Sequence, residues 1–367
     1  MMDSLPVSPL RVPLKKSDLV QMLELLRLSW KLQAMPAYQQ LIAAELPASA
    51  RMVTGTAGVM MGYDFHLTED GPRLIEINTN AGGSALALRA CHGEPTLTPS
   101  LKRRLGQMFE REWSDFCEAR RPLQRLVILD ENPQQQHLYP EMKRFAGWLE
   151  AAGIEVHIVD PVELEADARG VSLAGKVVDL IYNRHCDFYL DDISMAGIRS
   201  AYLARKVCLT PNPFIYGQLG DKRRLKLWTQ AEKMAGLGLS VVEIGLLQRL
   251  IPASCLLADF DPNELWELRK EKVFKPVARY GSKGVLLGKT ISRKRFAELE
   301  PFDTLVQQLV PPSQISDPAG NAFKLDLRLY AWRNHALGIA ARLYQGQVTN
   351  LNTVGGGFAA VVLESNA

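Results

Sequence analysis

Residues 73–85 read RLIEINTNAGGSA, and they place Glu76, Asn78 and Asn80 on alternate positions just before a pair of glycines. In a β-strand, side chains two residues apart project from the same face of the sheet. The three polar side chains therefore form one row, and the residues between them face the other way. Such a row is typical of a site for a hard cation and its phosphate ligands, but a solvated edge strand has the same pattern. This stretch alone does not distinguish the two.

The residues before this stretch predict its partner strand. The turn at residues 68–73, TEDGPR, contains Asp-Gly, which is a strong hairpin signal. The hairpin brings Asp64, on the first strand, close to Glu76 and Asn78 on the second. Because Mg²⁺ takes oxygen ligands, commonly one or two carboxylates with phosphate oxygens and water, these three residues are candidate metal ligands. His66, near Asp64, is expected to be structural.

The composition is that of an ordinary soluble globular protein. The chain has 367 residues, which favours two or three domains, and its net charge of +3 is spread along the chain and does not suggest nucleic acid. Five cysteines stand far apart with no Cys-x-x-Cys pair, which argues against structural zinc or a disulfide framework. Residues 1–19 lack a signal-peptide core, and no apolar run reaches membrane-spanning length. We expect a cytoplasmic protein that binds no membrane.

Two parts of the chain differ in pattern. Residues 1–16 contain three prolines and are predicted to form an irregular arm. From residue 125 onward, an apolar run, an amphipathic helix pattern and a second apolar run follow one another, which is typical of a βαβ unit in a parallel sheet. Near the end of a later strand, Asn183, Arg184 and His185 either bind a carboxylate substrate, as residues at such strand ends can, or form a structural cluster.

A second candidate cluster is VFKPVARYGSKGV, residues 273–285. Lys275 ends a predicted strand, and the Gly-Ser-Lys-Gly loop at 281–284 offers backbone N–H groups that can close over phosphates. A plain hairpin with a glycine turn is the alternative. A Walker A loop is excluded, because GVLLGKT at 284–290 has one residue too few between its glycines and no helix pattern follows.

The third cluster lies near the C-terminus. Asp326 and Arg328 alternate on one predicted strand of a three-strand meander, and Arg342 is placed on the next strand but one. Asn350 and Asn352 then precede three glycines. Arginine is the preferred residue for binding phosphate in a fixed geometry, although alternating charged and apolar residues are also typical of the solvated face of a sheet.

Together these clusters resemble the ATP-grasp superfamily, whose members grip ATP between two α+β subdomains and join a carboxylate to an amine through an acylphosphate. The resemblance implies that residues 280–285 are the glycine loop and that 307–311 are the hinge holding the adenine. The implied nucleotide-binding residues are Lys222, Lys275, Tyr280, Gly281, Ser282, Lys283, Gly284, Gln307, Gln308, Leu309, Val310, Asn350 and Asn352. The implied catalytic residues are Arg342, Arg328 and Lys275, and the implied metal ligands are Asp64, Glu76 and Asn78.

The order of these motifs departs from most of the superfamily, where the metal motif follows the arginine and asparagine segment. Here the metal motif comes first, as it does in eukaryotic-type glutathione synthetases and glutathionylspermidine synthetases, so the resemblance implies a circular permutation. We therefore expect the strands of residues 62–78 to share a sheet with residues 326–349. Those permuted families carry a metal-binding glutamate in the KP…REG loop, whereas residues 278–282 here read ARYGS. The metal set should thus be that of the unpermuted members.

The implied fold class is α/β: a circularly permuted ATP-grasp fold with α+β subdomains and a parallel-sheet domain of the pre-ATP-grasp kind inserted mid-chain. Residues 1–120 should hold N-terminal helices and the permuted metal-binding part, and 121–215 the parallel-sheet domain. Residues 216–305 should form the small subdomain with the glycine loop, and 306–367 the remainder of the core.

The resemblance implies an ATP- and Mg²⁺-dependent ligase that joins a small-molecule carboxylate to a small-molecule amine. The alternatives are a phosphotransferase of the same fold and a regulatory protein that binds a nucleotide without turnover. The absence of an assignable nucleophile triad agrees with acylphosphate chemistry. A homodimer is left open, and the identities of both substrates are undetermined.

The glycine loop generates a first prediction. Gly281 and Gly284 flank a serine and a lysine in a segment with few side chains to pack. We therefore expect this loop to become ordered only when a nucleotide is bound. We expect hydrogen exchange across residues 279–286 to slow when an ATP analogue is added. Equal exchange with and without the analogue would contradict a phosphate-covering role.

Overall fold

The computed structural model describes residues 7–93, 98–277, 284–347, 349 and 353–364. Its strands, in chain order, are β1 Val7–Leu14, β2 Met61–Thr68, β3 Gly71–Asn78, β4 Arg125–Leu129, β5 Glu155–Val159, β6 Leu164–Asp167, β7 Gly170–Leu173, β8 Lys176–Val177, β9 Leu180–Asn183, β10 Cys208–Thr210, β11 Ser254–Leu256, β12 Lys272–Pro276, β13 Leu286–Leu287, β14 Thr304–Gln308, β15 Ser313–Ser316, β16 Ala322–Trp332, β17 His335–Tyr344 and β18 Gly357–Leu363.

The α-helices lie between some of these strands in the chain. They are α1 Lys16–Ala34, α2 Pro36–Ile42, α3 Ala48–Arg51, α4 Ser84–His92, α5 Pro99–Cys117, α6 Tyr139–Glu150, α7 Ala196–Leu203, α8 Pro213–Ile215, α9 Arg223–Trp228, α10 Ala231–Gly236, α11 Val241–Leu250, α12 Pro262–Leu268 and α13 Arg293–Ala297. Within the described ranges, no helix combines the length and the apolar character needed to cross a bilayer.

The largest sheet combines both ends of the chain. Its strand order is β1-β18-β17-β16-β2-β3, and β15 also pairs with β16. The hairpin β2–β3 is antiparallel and joins the late strands through β2 and β16, also antiparallel, while β1 runs parallel to β18. The prediction that residues 62–78 share a sheet with the late strands is confirmed. This pairing is what a permuted chain requires, and the permutation itself stays a prediction.

The prediction of an irregular arm over residues 1–16 is wrong for residues 7–14, which form a strand, and residues 1–6 lie outside the described ranges. β1 forms the edge of the large sheet despite Pro9 and Pro13, with a register shift between Val7 and Arg11. Proline lacks a backbone N–H and is tolerated on an edge strand, where one side of the backbone needs no partner. The prolines therefore mark an edge rather than a loop.

The three-strand meander also needs correction. Asp326 lies on β16 and Arg342 on β17, which is the very next strand and pairs directly with β16. Residues 335–344 form one strand, in which Gly338 pairs with Tyr330. The chain reverses only at the short turn after Trp332.

The other sheets complete the layers. The expected parallel sheet is present with the order β10-β9-β4-β5, and an antiparallel sheet has the order β11-β14-β12-β13. A small three-stranded sheet, β6-β7-β8, stands beside them. One face of the large sheet packs in a core that includes residues of α1 and α11, and part of its other face packs with α4, α5 and α6.

Candidate active site

Strand alternation divides the residues of β16 between the two faces of the large sheet. Leu325, Leu327 and Leu329 are buried in the core that also contains α1. Asp326 and Arg328 lie at the intervening positions and face the opposite side, because successive side chains on a strand alternate. The apolar row thus anchors the strand, and the charged row is presented to the cleft.

Cross-strand pairing extends this charged row over four strands. Asp326 lies opposite Arg342 on β17, Arg328 lies opposite Asp64 on β2, and Asp64 lies opposite Glu76 on β3. Residues directly opposite each other on neighbouring strands share a face of the sheet. Residues from both ends of the sequence therefore meet in one cluster.

Asp64 is the centre of the cluster. Arg328 binds it through two hydrogen bonds, Nε to Oδ1 and Nη2 to Oδ2, each 2.6 Å long, and Arg342 Nη2 donates to Oδ2 at 2.9 Å. The carboxylate is only 2% exposed. Burial alone would raise the pKa of Asp64, but the two guanidinium groups outweigh it and lower the pKa to about 2. Asp64 is therefore ionised at neutral pH.

The three predicted metal ligands are brought together. Asn78 Nδ2 donates to Asp64 Oδ2 at 3.1 Å and to Glu76 Oε1 at 3.2 Å. Two carboxylates and an amide that converge in this way form a donor set suited to Mg²⁺. The described residues hold no group of three or more His, Cys, Asp or Glu side chains that could hold a metal. A metal ion bound here would thus draw on Asn78, substrate oxygens or water as well.

Lys275 connects the antiparallel sheet to the large sheet. Its Nζ donates to Gln307 Oε1 on β14 at 2.7 Å and to the carbonyl oxygen of Ile75 on β3 at 3.1 Å. Lys275 is 4% exposed. Burial lowers its pKa to about 8, although the nearby charge of Glu76 opposes the shift.

A cavity of about 320 Å³ separates the two sheets. The antiparallel sheet and the segment after it contribute one wall, and the charged cluster contributes the other. The lining residues used below are Asp64, His66, Glu76, Lys275, Lys289, Gln307, Gln308, Leu309, Val310, Lys324, Asp326, Arg342 and Thr349. The size lies at the lower end of the range for small-molecule sites.

Known structures include proteins that are similar to this one. The structure is similar to a protein from Methylobacillus flagellatus KT that is provisionally named a gamma-glutamylcysteine synthetase, with a TM-score of 0.55 and 14% identity over 96% of this chain and 90% of that one. An ATP-grasp ligase, PsnB, complexed with a phosphomimetic variant of its minimal precursor, Mg and ADP, gives a TM-score of 0.34 and 14% identity over 62% and 77%. No family model and no curated sequence matches the chain.

The chain shares its overall fold with the Methylobacillus protein. At 14% identity the likeness concerns the fold alone. The candidate hinge residues Gln307, Gln308, Leu309 and Val310 line the same cavity as Lys275. Two of the three predicted metal ligands, Asp64 and Glu76, thus face the same space as these residues, whereas Asn78 does not line it.

The remaining predicted residues lie elsewhere. Lys222 caps α9, is 8% exposed and does not line the cavity, although its charge helps to lower the pKa of Lys275. Arg328 also stays out of the lining and acts on Asp64. Gly284 is described and has a left-handed φ of +80°. The predicted residues that lie outside the described ranges are Tyr280, Gly281, Ser282, Lys283, Asn350 and Asn352.

Several cavity residues were not singled out as functional from the sequence. His66, expected to be structural, lines the cavity, and its Nδ1 is 2.7 Å from the carbonyl oxygen of Val310, which links β2 to the hinge segment. Burial lowers the pKa of His66. Thr349 donates to Asp326 Oδ2 at 2.7 Å, while Lys289 and Lys324 add positive charge. One sequence signal for His66 was available: it lies two residues after Asp64, and side chains two apart on a strand share a face.

The residues after β9 support the structural alternative. Arg184 Nη1 donates to the carbonyl oxygen of Ala81 at 2.9 Å, and Asn80 Nδ2 donates to the carbonyl oxygens of Arg184 and His185 at 3.2 Å. These bonds tie the loop after β3 to the parallel sheet.

Lys275 generates a prediction on proton linkage. Its folded pKa of about 8 is below the unfolded value of 10.5, so the unfolded chain binds more protons between these pH values and this group's contribution to stability rises with pH there. Bound phosphate favours the ammonium form and should raise the pKa again. We therefore expect ADP binding at a pH somewhat above the folded pKa to take up a proton.

Calorimetry in buffers of different ionisation enthalpy measures this uptake. The Lys275→Met protein is the control, since it has no group to titrate at this position. Equal proton uptake by both proteins would show that another group is responsible, and no uptake by either would contradict a phosphate contact by Lys275.

Proposed function

We propose that this protein is an ATP- and Mg²⁺-dependent ligase that joins a small-molecule carboxylate to an amine through an acylphosphate. The observation that carries the proposal is that the Asp64 cluster on the large sheet faces Lys275 and the hinge residues 307–310 across one cavity. The gathering of acidic oxygens and cationic groups in one cleft suits a phosphorylated ligand with a divalent metal. We include the circular permutation in this proposal, because the metal hairpin precedes all the other motifs.

In this proposal the cationic residues bind phosphate, and the acidic residues and Asn78 bind the metal ion. Lys275 and Arg342 line the cavity and would bind the phosphates, with Lys222 nearby, and Arg328 holds Asp64 in place. Asp64, Glu76 and Asn78 would hold Mg²⁺, which supplies neutralisation of the negative charge on the transferring phosphoryl group. The competition between arginine and metal for Asp64 makes Glu76 the carboxylate more available to the ion.

The proposed reaction has two steps that balance without a protein nucleophile. A substrate carboxylate oxygen attacks the γ-phosphorus, and ADP leaves. The amine then attacks the acyl carbon, phosphate leaves, and the amine nitrogen loses a proton. Positioning and charge stabilisation are what the cleft contributes to such phosphoryl transfer.

Two alternatives are separated from the ligase by their products. A phosphotransferase of the same fold releases ADP and a stable phosphorylated compound, and a regulatory nucleotide-binding protein releases no ADP. Incubation with ATP, Mg²⁺ and pools of amino acids or small peptides, followed by ADP detection and mass spectrometry, distinguishes all three. A product whose mass equals two reactants less water supports the ligase.

Glu76 is the residue whose replacement tests the metal site. Glu76→Gln keeps the shape of the side chain but removes its charge, and a neutral amide is a poorer ligand for Mg²⁺. We expect turnover to fall by orders of magnitude, since metal stabilisation is worth several kcal/mol and each ~1.4 kcal/mol is tenfold in rate. We expect folding to survive. Thermal melting and turnover across a Mg²⁺ titration measure the two effects.

Glu69→Gln is the matched control, because Glu69 is exposed in the turn of the same hairpin. This control should keep wild-type turnover. Wild-type turnover of the Glu76→Gln protein at limiting Mg²⁺ would instead remove Glu76 from the metal site. Lys275→Met should mainly weaken ADP binding, because its predicted contact is already made with the ground-state phosphates.

A further inference from the structure

A second cavity, of about 230 Å³, lies on the same face of the large sheet as the charged cluster. It is bounded by α4, α5 and α6 and by the paired residues Tyr330 and Gly338 of β16 and β17. It shares no lining residue with the cavity between the large sheet and the antiparallel sheet, which we call the ATP cleft because we propose that it binds ATP. The apolar side chains of its wall are Met60, Leu88, Leu101, Leu105, Met108, Phe145, Trp148, Leu337 and Ile339.

One polar atom in this wall lacks a partner. Ser84 lies in the first turn of α4 and is 8% exposed, and no hydrogen-bond partner for its Oγ occurs in the described part of the chain. The Tyr330 hydroxyl, by contrast, donates to the carbonyl oxygen of Gly82 at 3.0 Å. Buried hydroxyl groups are nearly always hydrogen-bonded, because leaving one unpaired costs free energy. The unpaired hydroxyl group of Ser84 therefore indicates a ligand that carries a hydrogen-bonding group at one position.

The size and chemistry of the cavity define the class of ligand. An apolar protein cavity of about 150 Å³ can hold benzene, so this one accommodates a single ring with a substituent and is too narrow for a helix. The carboxylate of Glu141 binds the backbone N–H groups of Gly83 and Ala85, on either side of Ser84. Burying an unpaired charge against this largely apolar wall would cost free energy, which favours a neutral ligand. Exposed Cys91, His92 and Arg104 at the outer side leave access from solvent.

We propose that this cavity is a binding site for a small neutral aromatic molecule that places one hydrogen-bonding group against Ser84. The site lies close to the ATP cleft. The carbonyl oxygen of Gly82 connects the two, because it accepts hydrogen bonds from Tyr330, which lines the proposed site, and from Arg328, which binds Asp64. The proposal does not depend on the ligase activity, because its lining residues and those of the ATP cleft are separate.

Two probes that differ by one hydroxyl test the proposal: para-fluorobenzyl alcohol and para-fluorotoluene. Fluorine NMR of each probe, titrated with the full-length protein, gives its affinity. We expect both to bind the wild type. Ser84→Ala should weaken the alcohol about three- to tenfold, the usual range for one lost hydrogen bond, and leave the toluene unchanged.

Gly338 allows the cavity to be filled without backbone strain. A Cβ built at Gly338 meets no atom within 4 Å, and the residue lies in a strand without a positive φ. We expect Gly338→Val to weaken the binding of both probes more than tenfold. If the melting temperature of this variant is well below that of the wild type, Gly338→Ala takes its place. Gly147→Ala is the matched control, since Gly147 is exposed on α6, has equally open surroundings and does not line the cavity.

The outcomes separate this site from the ATP cleft. Lys275→Met should bind both probes as the wild type does, even where it loses ADP. The proposal is overturned if neither probe binds the wild type, if folded Gly338→Val binds both as tightly as the wild type, or if Ser84→Ala affects the two probes equally.

Discussion

The buried carboxylate of Asp64 can stay charged only because two guanidinium groups surround it. The partners come from Arg328 and Arg342 on the late strands, whereas Asp64 lies on the early hairpin. Removing one partner of a buried pair typically costs about 3–5 kcal/mol, because the remaining charge is left uncompensated. This ion-pair network therefore joins the two ends of the sequence and at the same time holds Glu76 and Asn78 at the edge of the cleft.

The antiparallel sheet also makes polar contacts with the large sheet at the same cleft. Lys275 reaches the backbone of β3, and His66 contacts the backbone of Val310, so the sheets are joined on two sides of the cavity. The same two residues line the cavity that we assign to the nucleotide. A bound anion would thus contact groups that also join the two sheets.

Local patterns predicted much of the fold and part of the site. Asp-Gly and the alternation around Glu76 predicted the β2–β3 hairpin, and the apolar runs from residue 125 predicted the parallel sheet; both are present. Two predictions failed where pairing overrode local signals. Prolines were tolerated on β1 because it is an edge strand, and Arg342 lies directly beside β16 because residues 335–344 form one strand that pairs with it.

The sequence by itself determined which residues could form one polar row, because the twofold period of a strand is a local property. It also indicated an ATP-grasp resemblance from three separate clusters. Only the tertiary structure decided that Asp64 lies between Arg328 and Arg342, that His66 meets the hinge segment, and that Ser84 faces an apolar cavity. Those contacts join residues far apart in the chain, and their geometry depends on strand order and packing, which no local pattern specifies.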